Sequence, residues 1–171
     1  MASSRTSPPA HLGRRAVVIA MGLALAPGLA KAACPPVRVL FVCPAGSVKS
    51  AIARETLKRR AADGGVSLSV SSRGVRPEDH VSLGLAAKLK ADGLNPTSEP
   101  LRALAETDIG QADIVIAFDE ASDEPMLRSA RAWKTPSWNG DYAAAKADLD
   151  GRLALLLVEL TARVARPCGA P

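Results

Sequence analysis

Two short stretches of the chain are apolar almost without interruption: Val37-Arg-Val-Leu-Phe-Val42 and Ile114-Val-Ile-Ala-Phe118. Runs of this length, rich in β-branched and aromatic residues, predict strands buried on both faces, as in a parallel sheet covered by helices. Val66-Ser-Leu-Ser-Val-Ser71 alternates with period two instead, which predicts an edge strand with one solvated face. A shorter strand is expected around Ala132-Trp-Lys134, cut off by Pro136. Helical patterns fall between these strands. From Ser50 to Arg60, Ile52, Ala53 and Leu57 share a stripe, Lys58-Arg59-Arg60 meet the negative end of the helix dipole, and Gly64-Gly65 stop the helix. Ser82 to Asp92 forms a second helix closed by Gly93. Asp148 to Arg166 is the longest, with Leu149, Leu153, Leu156, Leu157, Leu160 and Val164 at steps of three and four before Pro167 ends it. Strands alternating with helices, with no internal repeat and no long linker, predict one α/β domain over residues 35–168.

The first 32 residues follow a different logic. A polar start ends in Arg14-Arg15, an apolar run from Ala16 to Ala30 is broken by Pro27-Gly28, and Ala30-Lys31-Ala32 supplies a small-x-small site. The run is shorter than the roughly 20 residues a membrane span takes. Together these features predict a secretory signal peptide over 1–32, and hence a periplasmic or secreted protein with no membrane span after cleavage. The segment also changes the meaning of the charge. The chain has 22 Lys and Arg against 17 Asp and Glu, a formal +5, but four of the cations lie in residues 1–32, leaving 18 against 17. The folded part is nearly neutral, which removes the argument for a nucleic-acid partner.

Chemistry concentrates in one loop. Directly after the first central strand comes Cys43-Pro44-Ala45-Gly46-Ser47-Val48-Lys49-Ser50. A cysteine here leaves the carboxyl end of a buried strand, the edge at which open α/β sheets bind ligands. Backbone N–H groups at the start of the following helix have no intrahelical partner, and the helix dipole adds partial positive charge, so the loop suits an oxyanion. The same field favours a thiolate over a thiol. Lys49 contributes a formal positive charge, and the Ser50 hydroxyl can donate to the sulfur.

At these residues the sequence resembles the low-molecular-weight protein tyrosine phosphatases and the related arsenate reductases. The resemblance starts from Val39-Leu-Phe-Val-Cys43, with five residues to a basic residue and then Ser50. It continues through Ala53-Arg-Glu55, Ser72-Arg-Gly74, Ala112-Asp-Ile-Val-Ile-Ala-Phe-Asp119 and Trp138-Asn-Gly-Asp141, covering roughly residues 37–165. It implies a four-stranded parallel sheet in the order 2-1-3-4 with helices on both faces. It also implies a phosphate-bearing substrate or oxyanion, held by residues 44–50 with Lys49, attacked by the Cys43 thiolate, with Asp141 protonating the leaving group. No cofactor is implied. The chain differs from the family's pattern at several positions: Lys49 stands for its arginine, Gly46 for its loop asparagine, Val48 for its second cysteine, and Asp141-Tyr142 for its Asp-Pro. Arginine offers a planar fork to two phosphate oxygens where lysine offers a point charge. A catalytically weak anion-binding module and an arsenate reductase-like protein are therefore the alternatives to a phosphatase.

The remaining candidates are plainer. Cys34 precedes the first strand and Cys168 follows the last helix, so both belong at the end of the sheet opposite the catalytic loop, where an oxidising compartment predicts a disulfide between them. Two histidines and no paired-cysteine spacing predict no metal site. His80 is expected on the surface, and Asp119, Asp123 and Glu124 in a solvated acidic loop.

Overall fold

The computed structural model describes residues 34–166. The signal peptide expected over residues 1–32 lies outside the described residues, as does Cys168. Four strands, β1 (Val37–Cys43), β2 (Leu68–Gly74), β3 (Ile114–Phe118) and β4 (Arg131–Trp133), form one parallel sheet in the order β2-β1-β3-β4. Four α-helices connect or follow them: α1 (Lys49–Asp63), α2 (Leu83–Ala91), α3 (Glu106–Gln111) and α4 (Tyr142–Val164). The two uninterrupted apolar runs are the central strands, and the alternating run is the edge strand, as the periodicity requires.

Alternate side chains of the sheet enter two cores. Val39, Phe41 and Cys43 of β1, with Ile114, Ile116 and Phe118 of β3, pack with Ile52 and Leu57 of α1, Leu85 and Leu89 of α2, and the leucine stripe of α4. Each fully buried leucine of that stripe contributes roughly 2 kcal/mol of apolar burial. Leu40 and Val42 face the other way, toward Ala117, Ala121 and Leu127, with Ile109 of α3 packed alongside.

Three boundaries differ from the sequence reading. α4 begins at Tyr142 rather than Asp148, because the Asp141 carboxylate accepts from the Ala144 N–H at 3.0 Å and caps a run of alanines. β2 starts two residues later than expected and runs on to Gly74, paired along its whole length with β1. α3 was not anticipated: it is six residues long, carries no apolar stripe, and is fixed by Asp108, which accepts from the Ala105 N–H at 3.0 Å.

At the amino end of β1, Pro35, Pro36, Val37 and Arg38 share a cavity with Arg163 and Arg166 at the end of α4. The two ends of the domain therefore meet there, at the far edge of the sheet from the β1–α1 loop. Among the described residues no helix is long and apolar enough to cross a membrane.

Candidate active site

The β1–α1 loop is built around Cys43, a free thiol buried at the end of β1. The Gly46 N–H donates to its sulfur at 3.1 Å, and Ser50 Oγ lies 3.1 Å from it. In the thiolate form both groups donate to the sulfur. Ser50 Oγ is also 3.3 Å from the Gly46 carbonyl and 3.4 Å from the Arg73 carbonyl, which centres the hydroxyl under the loop.

Two glycines make this turn possible. Gly46 has φ +79°, a left-handed conformation that costs other residues about 1–2 kcal/mol. A Cβ on it would lie 2.7 Å from the Gly74 nitrogen, and a Cβ on Gly74 would lie 2.7 Å from the Ala45 carbonyl oxygen. The loop thus rests directly on the end of β2, where Val75, Arg76 and Glu78 N–H groups donate to the carbonyls of Cys43, Pro44 and Ala45. Glycine at position 46 supplies the conformation by itself. Beneath the loop, the buried Arg54 guanidinium donates to Ser72 Oγ, the Pro96 carbonyl and Ser98 Oγ, tying α1 to β2 and to the turn after α2.

Directing carbonyls toward β2 leaves the loop's amides to another purpose. Among the described residues no acceptor meets the N–H groups of Ala45, Val48, Lys49 or Ser50, while that of Ser47 faces the Glu78 carbonyl across the Gly46–Glu78 bridge. Four donors at the start of a fifteen-residue helix, around one buried sulfur, are arranged to suit an anion. Pro44 has no N–H and Gly46 donates to sulfur, so neither of these two joins them.

Lys49 is placed differently from the sequence expectation. Its ammonium pairs with the Asp119 carboxylate and donates to the Thr135 carbonyl at 2.8 Å, so the loop's cation is anchored to the opposite wall. Both partners are largely shielded, with side-chain exposures of 19% and 16%. Asp119 itself is a site residue that sequence reasoning assigned to solvent. It has φ +50°, the only non-glycine positive φ among the described residues, and accepts from the Thr135 N–H at 3.0 Å while Ser122 Oγ donates to its carbonyl at 2.6 Å. Strain of this kind persists only where surrounding contacts hold it. The sole sequence signal was its place at the carboxyl end of a buried central strand, the same position Cys43 occupies on β1.

A cavity of about 260 Å³ opens over the sulfur, lined among others by Cys43, Lys49, His80, Asp119, Ser137 and Trp138. Asp141 is not part of its wall. The structure brings Cys43, the loop and Lys49 together, and gives Asp141 to the α4 cap instead, where its side chain is committed to the Ala144 amide. Ser137 occupies the wall that Asp141 was expected to reach. His80, expected on the surface, is half-exposed but lines the same cavity. Asp123 and Glu124 stay outside it. Among the described residues no group of three or more His, Cys, Asp or Glu side chains is placed to hold a metal ion.

This combination of a four-stranded parallel sheet and a cysteine-centred anion loop has known counterparts. A sequence model of the low molecular weight phosphotyrosine protein phosphatases matches residues 38–150, and the chain belongs to that family. Among solved structures, it is similar to a thioredoxin-dependent arsenate reductase from Corynebacterium glutamicum, with 25% identity, a TM-score of 0.61, and 78% of this chain and 66% of that one covered. It is also similar to a low molecular weight protein tyrosine phosphatase from T. tengcongensis, at 19% identity and a TM-score of 0.58, covering 72% of this chain and 99% of the other. The arginine phosphatase YwlE from Geobacillus stearothermophilus matches at 20% identity and a TM-score of 0.59, covering 75% and 95%. No match was found among curated protein sequences.

Proposed function

We propose that the protein hydrolyses phosphate monoesters, phosphotyrosine among them, through a phosphocysteine at Cys43, and that it does so in the periplasm or outside the cell after residues 1–32 are removed. The observation that carries this reading is the Cys43 sulfur, held at 3.1 Å by both Ser50 Oγ and the Gly46 N–H beneath the unengaged amides of Ala45, Val48, Lys49 and Ser50. In the forward step the thiolate attacks phosphorus as the P–O bond to the organic group breaks; the amides of Ala45, Val48, Lys49 and Ser50 hold the equatorial oxygens. Water then displaces the sulfur and releases phosphate. Export is supported by the signal-like pattern of residues 1–32 and by the meeting of the two domain ends, which suits a Cys34–Cys168 disulfide.

A second reading follows from the Lys49–Asp119 pair. A loop cation already neutralised by a carboxylate adds little to transition-state charge, which favours a catalytically weak anion-binding module. Arsenate, a tetrahedral oxyanion of the same shape, suits the same loop. Its reduction needs electrons relayed by a further thiol, and Cys34 lies before the far end of β1, a strand of seven residues or roughly 20 Å. Turnover of p-nitrophenyl phosphate by the chain from Ala33 onward, with Cys43→Ser as control, separates these readings. Hydrolysis that vanishes in the variant supports the phosphatase; vanadate binding without turnover supports the module.

A further inference from the structure

Resting on the hydrolase reading above, the geometry points to His80 as the group that hands a proton to the leaving oxygen. A proton donor must share the cavity of the nucleophile. Four ionisable side chains other than Cys43 line that cavity: Lys49, His80, Asp119 and Glu120. Lys49 and Asp119 are engaged with each other and with Thr135. Glu120 is exposed and makes no hydrogen bond or ion pair among the described residues. Nothing orients it.

His80 is held at three points. Its N–H donates to Ser47 Oγ of the anion loop at 3.0 Å, its carbonyl accepts from Asn139 Nδ2 at 3.1 Å, and its Nε2 lies 3.0 Å from the Glu78 carboxylate. Glu78 is in turn fixed to the loop, its N–H donating to the Ala45 carbonyl at 3.0 Å. The backbone of His80 is therefore referenced to the residues around the sulfur, and its ring lies against the Glu78 carboxylate. As an imidazolium His80 carries a proton on each ring nitrogen, and Nδ1, which lies away from the Glu78 carboxylate, is the atom that gives one up. The charged and titratable groups around it are Glu78 and Asp79 on its own loop and Cys43, Lys49, Asp119 and Glu120 in the shared cavity.

The proton inventory closes. As the S–P bond forms and the P–O bond breaks, the departing oxygen takes the Nδ1 proton of the imidazolium, giving the free alcohol or phenol and a neutral His80. Nδ1 then takes a proton from water while the water oxygen bonds to phosphorus, the P–S bond breaks, and phosphate leaves as the thiolate is restored.

The test compares p-nitrophenyl phosphate, whose leaving group departs with little help, with phenyl phosphate, whose leaving group needs a proton. His80→Gln is expected to lose about tenfold or more in kcat/KM on phenyl phosphate beyond its loss on the nitrophenyl ester, and to lose the alkaline limb of the pH profile. Asp141→Asn is expected to keep the wild-type ratio between the two esters. Thermal unfolding checks that each variant is folded. Equal losses by His80→Gln on both esters with an unchanged pH profile overturn the proposal, as does a selective loss on phenyl phosphate in Glu120→Gln or Asp141→Asn. If the wild-type chain turns over neither ester, the hydrolase reading falls first and takes this one with it; wild-type turnover by His80→Gln overturns the proton role alone.

Discussion

The cavity over Cys43 has two halves of unlike construction. One is a single contiguous segment, residues 43–50, whose sulfur, hydroxyl and amides come from one strand end, one turn and one helix start. The other is assembled from three separate places: His80 after β2, Asp119 and Glu120 after β3, and Ser137 to Asn139 before α4. On the proposed function the first half would hold the phosphoryl group by local geometry, and the second would set what leaves and how it is protonated. Asp141 lies outside both, on the cap of α4. The difference teaches that anion binding and leaving-group chemistry can be retained or altered independently within one fold.

The largest effect should come from the turn that supports the first half. Gly74→Ala places a Cβ 2.7 Å from the Ala45 carbonyl, so the loop must lift away from β2. Misplacing reacting groups by about 1 Å costs on the order of a hundredfold in rate, and kcat/KM on p-nitrophenyl phosphate is expected to fall by about that much. Wild-type activity in this variant would mean the loop does not depend on β2. Asp119→Asn comes next, since it strips the half-buried Lys49 of its counter-charge. About tenfold loss in kcat/KM is expected, with a stability cost of about 1–3 kcal/mol measured by chemical denaturation. A gain in activity instead would mark Asp119 as a brake on the cation and favour the weak-module reading.

How much of this was legible in the sequence follows the same division. β1, β3 and the loop announce themselves by unbroken apolar runs and by close spacing, so Cys43, Lys49 and Ser50 are found without tertiary information. Lys49's partner was not, because Asp119 lies seventy residues further on and only the parallel pairing of β1 with β3 brings the two strand ends together. His80 read as a surface residue because its hydrogen bonds reach Ser47 and Asn139, neither adjacent in sequence. Asp141 stands outside the cavity for a local reason: an aspartate before a helix is both a family position and a good cap, and its carboxylate accepts from the Ala144 amide. The early start of α4 is the same fact seen from the helix.

Two smaller effects sharpen the comparison. Lys49→Arg offers a fork that can keep Asp119 while presenting a second N–H to the phosphoryl oxygens. A gain of roughly tenfold in kcat is expected, with no change in the ratio between good and poor leaving groups. A change in that ratio would show that the two halves are coupled. Asp141→Ala removes the cap of α4 and should cost about 1 kcal/mol of stability with little change in turnover. A loss of turnover exceeding the loss of stability would return Asp141 to the catalytic machinery.

The most direct measurement is rapid acid quenching of the mature chain during turnover of p-nitrophenyl phosphate, followed by mass analysis of its peptides. The account predicts one phosphoryl group on the peptide that contains Cys43, formed within the first turnover and absent in Cys43→Ser. Turnover with no phosphorylated peptide, or with the phosphoryl group on any other residue, would contradict it.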